Sequence, residues 1–487
     1  MKGDQKKAPI LEAIESYHRS GPLPFRVPGH KLGEAVDDPT ASILPRVMFR
    51  ADIPPLDGLD DRRESKEVQK RAEALAAELI GADTCHFSVN GSSLSAHVMV
   101  LAVAAPGDKV LIARNTHRSM IAAAIIANVQ PIFLTPDYDA KWDLEHGVSP
   151  AELEQGWQKH PDAKGAIVVN PSYFGVSADL KRLADISHKN KRPLLVDEAW
   201  GAHLPFHPSF PASAMASGAD LSCNSYHKTM TALGQASIVN RQGTLIPDDR
   251  FKLVFDLFQT TSPSSLIMGS IDGSRRLMAT HGQELWGKVV DLAAAVRAEL
   301  EGFNGLRVLR AEDLLSPGAI SLDPIKLTFD VTELGITGFE ACDWLLKNHH
   351  LRLELSDHRH LIALLTTADD AGTVARLIAG MRELTKAPRN LRLTRRPTFP
   401  LAKDLYAELV MTPAEALFGK TTHVPLRSAT GRIVAETVSP YPPGIPRLVP
   451  GERITEAIVE FLELGVKEGM FVEDASDPTL ATLRVVA

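Results

Sequence analysis

Pro193-Leu194-Leu195-Val196-Asp197-Glu198-Ala199-Trp200 is a short apolar run that stops at an acid. It is too short for a helix, and it reads as a fully buried strand with Asp197 at its carboxyl end. Further on, after a second short apolar-polar stretch (Ala219-Asp220-Leu221-Ser222-Cys223), comes Asn224-Ser225-Tyr226-His227-Lys228-Thr229. A serine, a histidine and a lysine are thus packed into four positions at the end of the next strand. A lysine amine can form a Schiff base with a carbonyl, a hydroxyl and an imidazole can hold a nearby phosphate, and a carboxylate can pair with a pyridinium nitrogen. The lysine motif alone also fits a surface lysine with capping neighbours. With Asp197 on the preceding strand, the set points to pyridoxal 5′-phosphate (PLP).

The pattern around these two motifs alternates between strand and helix. Strands are expected at Cys85–Val89, Lys109–Ala113, Pro131–Leu134, Gly165–Val169 and Pro193–Val196. Helices are expected at Ser93–Ala105, Ser119–Asn128, Pro150–Lys159 and Ala178–Lys189. Continuous apolar strands separated by helices predict an α/β fold with a mostly parallel sheet covered on both faces. In such sheets ligands bind beyond the carboxyl ends of the strands. The polar groups Asn90-Gly91-Ser92-Ser93, Asn115-Thr116-His117, Asn170-Pro171-Ser172, Asp197 and Lys228 all fall there.

The rest divides by composition. Residues 1–64 form an N-terminal arm, extended and rich in proline, glycine and aspartate from residue 20 onward. A large domain spans 65–283 and opens on an amphipathic helix at 66–80 that ends at Gly81. A smaller α/β domain spans 284–390, entered through a long helix near 284–301. A charged, proline-containing linker, 386–400, leads to a C-terminal domain at 391–487 with the rigid segment Tyr441-Pro442-Pro443-Gly444-Ile445-Pro446. The 487 residues suffice for two or three domains. A net charge of −7 with no long basic run points away from nucleic acid and from anionic membranes. No run approaches the length of a membrane span, and the N-terminus leads into no apolar signal segment. Three scattered cysteines, Cys85, Cys223 and Cys342, fit a reducing compartment, so a cytoplasmic protein is expected.

Gly91-Ser92-Ser93 lies between a strand and a helix, where small residues and free N–H groups suit a phosphate. His117 opens the following helix, as a ring-stacking group or as an ordinary helix-entry residue. Ala199 shares a sheet face with Asp197 and leaves room there for a flat ring. These elements supply a phosphate cradle, a ring stack, a pyridinium partner and a Schiff-base lysine.

The chain resembles the Orn/Lys/Arg decarboxylase family of fold-type I, aspartate-aminotransferase-like PLP enzymes, in its short form without the N-terminal wing domain. The likeness runs from about Phe25 to about Ile454. It rests on Val27-Pro28-Gly29-His30-Lys31, Asn90-Gly91-Ser92-Ser93, Asn115-Thr116-His117-Arg118-Ser119, Asn170-Pro171-Ser172-Tyr173-Phe174-Gly175, Asp197-Glu198-Ala199-Trp200-Gly201 and Ser225-Tyr226-His227-Lys228. Thr260-Thr261-Ser262-Pro263-Ser264, Pro440–Pro446 and Pro450-Gly451-Glu452-Arg453 complete it. The resemblance implies that Lys228 carries the cofactor covalently and that Ser92, Ser93, Ser225 and His227 hold its phosphate. It implies that His117 stacks on the ring and Asp197 meets its nitrogen. Thr261 and Ser262 would reach the phosphate of a second subunit, making the protein at least a homodimer with shared sites. The implied reaction is decarboxylation of arginine, lysine or ornithine to agmatine, cadaverine or putrescine, with no metal. Serines stand at Ser92 and Ser172 where the family more usually has threonine.

Rival readings are a PLP-dependent aminotransferase or other PLP lyase, with Arg352 as a carboxylate grip, and an inactive regulatory homologue. His30 and Lys31 read equally as site residues or as parts of a Pro-Gly turn. Glu354 and Asp357 read as a solvated strand end in preference to a cation site. His358 and His360 have metal-ligand spacing but no third ligand nearby.

Overall fold

The computed structural model describes residues 3–21, 23–54, 67–387, 398–441 and 444–487. Parts of the expected arm (1–2, Pro22 and 55–64), most of the linker (388–397) and Pro442–Pro443 lie outside them, as does Lys66, the expected first residue of the next helix. The fold is α/β with a mostly parallel central sheet. By its internal contacts the chain divides into two compact units. One comprises Met1–Ala102, Leu195–Pro208 and Ala212–Glu284; the other comprises Val103–Leu194, Ser209–Pro211 and Leu285–Ala487.

In the first unit, Leu195, Val196 and Asp197 pair in parallel with Leu221, Ser222 and Cys223. The strand Leu221–Ser225 then pairs antiparallel with Ser237–Arg241, which in turn pairs antiparallel with Thr84–Ser88. Strand alternation puts Leu221 and Cys223 on the face of Asp197, and Ser222 and Asn224 on the other. Asn224 and Asn240 are buried on that other face: Asn240 Nδ2 donates to Asn224 Oδ1 at 2.7 Å and to Ser222 Oγ at 3.2 Å, and Asn224 Nδ2 donates to Glu198 Oε2 at 3.0 Å. The helix Val68–Ile80 buries Val68, Ala72, Leu75 and Ala76 and ends at Gly81, whose φ of +77° requires glycine. The described part of the arm is not extended. It folds into the short helices Asp38–Ile43 and Arg46–Ala51, the first capped by the Asp37 carboxylate.

The helix expected near 284–301 begins at Ser265 and runs to Leu300. Its opening turns carry Gly269 and Gly273, which lower helix propensity. A β-carbon at either would come within 3.1 Å of Leu11, so the N-terminal helix Pro9–Ser20 packs close against this face. Ile10 N–H also donates to the buried Asp272 carboxylate at 2.8 Å.

In the second unit, Lys109–Ala113 pairs in parallel with Gln130–Leu134 and with the strand Ala166–Val169. The helices Arg118–Ala127, Pro150–Lys159 and Leu180–Lys189 alternate with these strands; Ser149 caps the second and Asp179 the third. An antiparallel sheet follows, in the order Arg307–Val308, Lys326–Asp330, His360–Leu364, Leu355–Ser356, accompanied by the helices Gly338–His349 and Ala371–Lys386. The C-terminal part pairs Thr421–Pro425 with Thr482–Val486 and packs the helix Glu456–Lys467 over a core that includes Val438, Leu448, Ile458 and Leu483.

The Pro450-Gly451-Glu452-Arg453 motif has a structural cause. Arg114, just past the strand Lys109–Ala113, donates from Nε and Nη2 to the two Glu452 oxygens, both at 2.9 Å, and from Nη1 to Pro446 O at 2.7 Å. Glu452 is fully buried and also accepts from Val449 N–H. Removing one partner of a buried pair strands the other charge. Glu452→Ala is therefore expected to lower unfolding stability by about 3–5 kcal/mol. The paired replacement Arg114→Met with Glu452→Leu should recover most of that loss. Denaturant unfolding checks both; a loss under about 1 kcal/mol for the single variant would contradict this role.

Candidate active site

Lys228 and His227 lie on a one-turn helix, Tyr226–Thr229, that starts directly after the strand Leu221–Ser225. The parallel register places Cys223 beside Asp197, and the chain reaches the lysine five residues later. Lys228 Nζ sits over the Trp200 ring, 4.2 Å from its centroid, a favourable place for an ammonium. Trp200 was legible only as part of a motif; its contact with the lysine was not.

Asp197 is nine-tenths buried. Its Oδ1 accepts from Ala199 N–H at 3.2 Å and from the Cys223 thiol at 3.5 Å. Burial, then the neighbouring Asp197 charge, holds the Cys223 thiol well above the usual thiol range, so the sulfur stays a donor. Oδ2 of Asp197 has no hydrogen-bond partner among the described residues. An open oxygen on the carboxylate of a buried residue suits a protonated ring nitrogen. Ala199 N–H fixes this carboxylate, and Ala199 O accepts from Ser225 N–H at 3.3 Å, which ties the two strand ends together.

The phosphate-type groups gather at the start of the helix Gly91–Val103. Ser92 Oγ lies 2.6 Å from Ser225 Oγ and 3.0 Å from Ser237 Oγ, and Ser237 is 3.3 Å from Ser95 Oγ. Gly91, at φ +69°, turns the chain into the helix while its N–H donates to Gln235 O. Ser93 stands in the same first turn, exposed. A helix start with several hydroxyls and free N–H groups suits an anion. His227 Nδ1 lies 2.9 Å from Ala236 O, which makes it the protonated nitrogen. Burial, and secondarily the Lys228 charge, lower the His227 pKa. Ser237 went unnoticed in the sequence: it belongs to the cluster because it stands opposite Ser225 in the antiparallel register, and a register is not written in a single strand.

Not every expected residue joins this cluster. Thr261 and Ser262 lie exposed in the turn between the helices Asp248–Phe258 and Ser265–Leu300, with Ser262 N–H on Thr260 Oγ1. His117 belongs to the second unit, as the N-cap of the helix Arg118–Ala127. Its Nδ1 accepts from Ser119 N–H at 3.2 Å and lies 2.8 Å from Ser119 Oγ. Gly444 packs against the imidazole, and a β-carbon there would come within 3.1 Å of Nε2. His30 and Lys31 make local contacts, His30 Nε2 to Asp52 at 3.3 Å and Lys31 Nζ to Pro24 O at 2.8 Å. Asp357 is not a solvated group. It caps its own turn by accepting from the N–H groups of Arg359 and His360 at 2.6 and 2.5 Å, while Glu354 and Arg352 are exposed. His358 faces Asp143 and His360 faces Asp357. No metal-binding cluster of His, Cys, Asp or Glu occurs among the described residues.

A family model for the Orn/Lys/Arg decarboxylase major domain matches residues 8–373, and the model for the C-terminal domain of the same family matches 401–469. The chain belongs to the Orn/Lys/Arg decarboxylase family. Arginine decarboxylase of Bacillus subtilis is 36% identical over 99% of this chain and 98% of its own length. Arginine decarboxylase of Halalkalibacterium halodurans is 34% identical over the same shares. Among solved structures, lysine decarboxylase LdcF of Francisella novicida superposes with a TM-score of 0.82 at 22% identity, over 99% of this chain and 81% of that one. This Orn/Lys/Arg decarboxylase is accordingly a PLP-dependent carboxy-lyase of a basic amino acid with the fold-type I architecture. The residues around Asp197 fit that cofactor.

Glu198, one position on, points to the opposite face. It is buried, accepting from Ala214 N–H at 2.7 Å and Asn224 Nδ2 at 3.0 Å, and burial pushes its pKa up to about 8. A raised folded-state pKa means that stability is fully present below the ordinary value of 4.5 and is lost as pH rises through about 8. The expected loss across that window is at most about 5 kcal/mol. Glu198→Gln should remove this part of the pH dependence in unfolding measurements from pH 5 to 9. An unchanged slope in the variant would show that Glu198 is ionised throughout.

Proposed function

We propose that this enzyme decarboxylates L-arginine to agmatine and carbon dioxide. The observation that carries the choice of substrate is the likeness to the two arginine decarboxylases, which extends over almost the entire length of both partners.

Under this reading Lys228 would hold the cofactor covalently through its side-chain amine. When bound, PLP supplies an electron sink for the bond between Cα and the carboxylate. Asp197 keeps a proton on the ring nitrogen through Oδ2, its orientation set by Ala199 N–H and the Cys223 thiol. Ser92, Ser93, Ser225 and His227 hold the phosphate with the first N–H groups of the helix Gly91–Val103. His117 stacks on the ring, and the small side chain of Ala199 leaves room for it. Trp200 covers the Lys228 amine on one side and keeps water from it. Orientation of the scissile bond across the ring plane is the protein's main contribution.

Thr261 and Ser262 serve a neighbouring subunit, so the active unit is at least a homodimer. Their exposed hydroxyls, outside the phosphate cluster of their own chain, support that role. The cytoplasm is the proposed compartment, and amine production for polyamine synthesis the proposed setting. All three cysteines are free, as a reducing compartment leaves them. No helix among the described residues is long and apolar enough to cross a membrane.

Carbon dioxide release measured in parallel on arginine, lysine and ornithine tests the substrate. Arginine should give a kcat/KM at least about tenfold above either other amino acid, because a guanidinium and an ammonium on different stems differ by more than a methylene. A preference for lysine or ornithine would contradict the choice.

A further inference from the structure

The second unit encloses a cavity of about 80 Å³, and none of Lys228, Asp197, Ser92 or Ser225 lines it. Aromatic rings form much of its wall, among them Tyr173, Phe399, Tyr441 and Phe461. His358 stacks on Phe399 with 4.3 Å between centroids, and Phe399 meets Phe461 edge-on at 5.9 Å. Into this apolar shell the chain introduces three carboxylates, Asp143, Glu145 and Asp357, against one guanidinium, Arg447. Whether His358 is counted as charged or neutral, the wall remains net negative.

Two of the carboxylates are fully occupied. Asp143 Oδ1 accepts from Tyr138 Oη at 2.7 Å and Ala402 N–H at 3.3 Å, and its Oδ2 lies 3.5 Å from His358 Nε2. Burial opposes its charge, but the His358 and Tyr138 hydrogen bonds hold its pKa down at about 2. Asp357 is taken up by its own turn and by His360 Nδ1. Glu145 differs. It is only 6% exposed, and Tyr406 Oη (2.6 Å) and Arg447 Nη1 (3.1 Å) both donate to Oε1. Oε2 has no hydrogen-bond partner among the described residues. An open oxygen on a buried carboxylate residue that lines an aromatic-walled cavity is a ready acceptor for a donor group placed there. Aromatic faces attract cations as well.

We propose that this cavity is a second ligand site that binds a short, unbranched aliphatic amine or guanidine, with its cationic head on Glu145 Oε2 and its stem along the rings. At roughly 10–15 Å³ for each water-sized group, the volume holds a cation of about five to eight non-hydrogen atoms. The site is read from its own walls and does not depend on which amino acid the enzyme decarboxylates.

The test is calorimetric titration of the holoenzyme after borohydride has fixed the cofactor on its lysine, so that the cofactor site cannot respond as it does in turnover. The probes are n-butylguanidine and 1,4-diaminobutane, with the neutral isostere N-butylurea and the anion butyrate as controls. One cation should bind per chain, and the two controls should not. Glu145→Gln should weaken binding ten- to a hundredfold. Ala402→Phe fills the cavity from another wall residue while keeping the Glu145 carboxylate and should abolish binding, which covers the case in which the glutamine variant folds poorly. Butylurea or butyrate binding as tightly as the cations would overturn the proposal. So would wild-type affinity in a folded Ala402→Phe protein, or loss of all cation binding on borohydride treatment.

Discussion

The parallel pairing of Asp197 with Cys223 is the constraint from which the site follows. It sets the end of one buried strand beside the end of the next, so that an acid and, five residues on, a lysine arrive in one unit of the molecule. The pairing is reinforced where it matters. Ala199 donates to the Asp197 carboxylate and accepts from Ser225, and the Cys223 thiol donates to the same carboxylate. A slip of one residue would turn Asp197 to the opposite face and Glu198 to the front. The two acids are adjacent yet electrically unlike. Asp197 has two donors and an open oxygen, whereas Glu198 sits in a closed network where burial favours its neutral form. Their roles are separated by the pleat alone.

Around that pairing the rest of the chain acts as support. The antiparallel strands Ser237–Arg241 and Thr84–Ser88 bring Ser237 opposite Ser225 and deliver the turn at Gly91. The hydroxyls of Ser225 and Ser237 both bond to Ser92 Oγ, which gives these buried polar groups partners. In the second unit the Arg114–Glu452 pair does comparable work. It fastens the C-terminal Pro-Gly-Glu motif to the loop that leads to His117.

Much of this was legible in the sequence because it depends on local pattern. The apolar runs at Lys109–Ala113 and Leu194–Asp197 and the Ser149-Pro150 cap state their own structure. Lys228, Asp197, Ser92 and Ser225 were legible through chemistry placed at strand ends. What was hidden is non-local. The antiparallel course of Thr84–Ser88 and the place of Ser237 depend on registers. The helix from Ser265 was read as starting near 284 because Gly269 and Gly273 argue against helix, and only the packing of Leu11 against them explains their presence. The arm was read as extended because proline, glycine and aspartate dominate it. Yet Pro39 and Pro45 stand at helix starts, where proline is tolerated. Asp357 was read as solvated because a turn that consumes its own carboxylate looks, in sequence, like an exposed strand end.

The claim that bears most weight is that the lysine five residues past Cys223 holds the cofactor. Borohydride reduction of the protein with its bound cofactor, followed by proteolysis and mass mapping, reads this directly. One phosphopyridoxyl group per chain is expected, on Lys228. A group on any other lysine, or its persistence in Lys228→Ala, would contradict it.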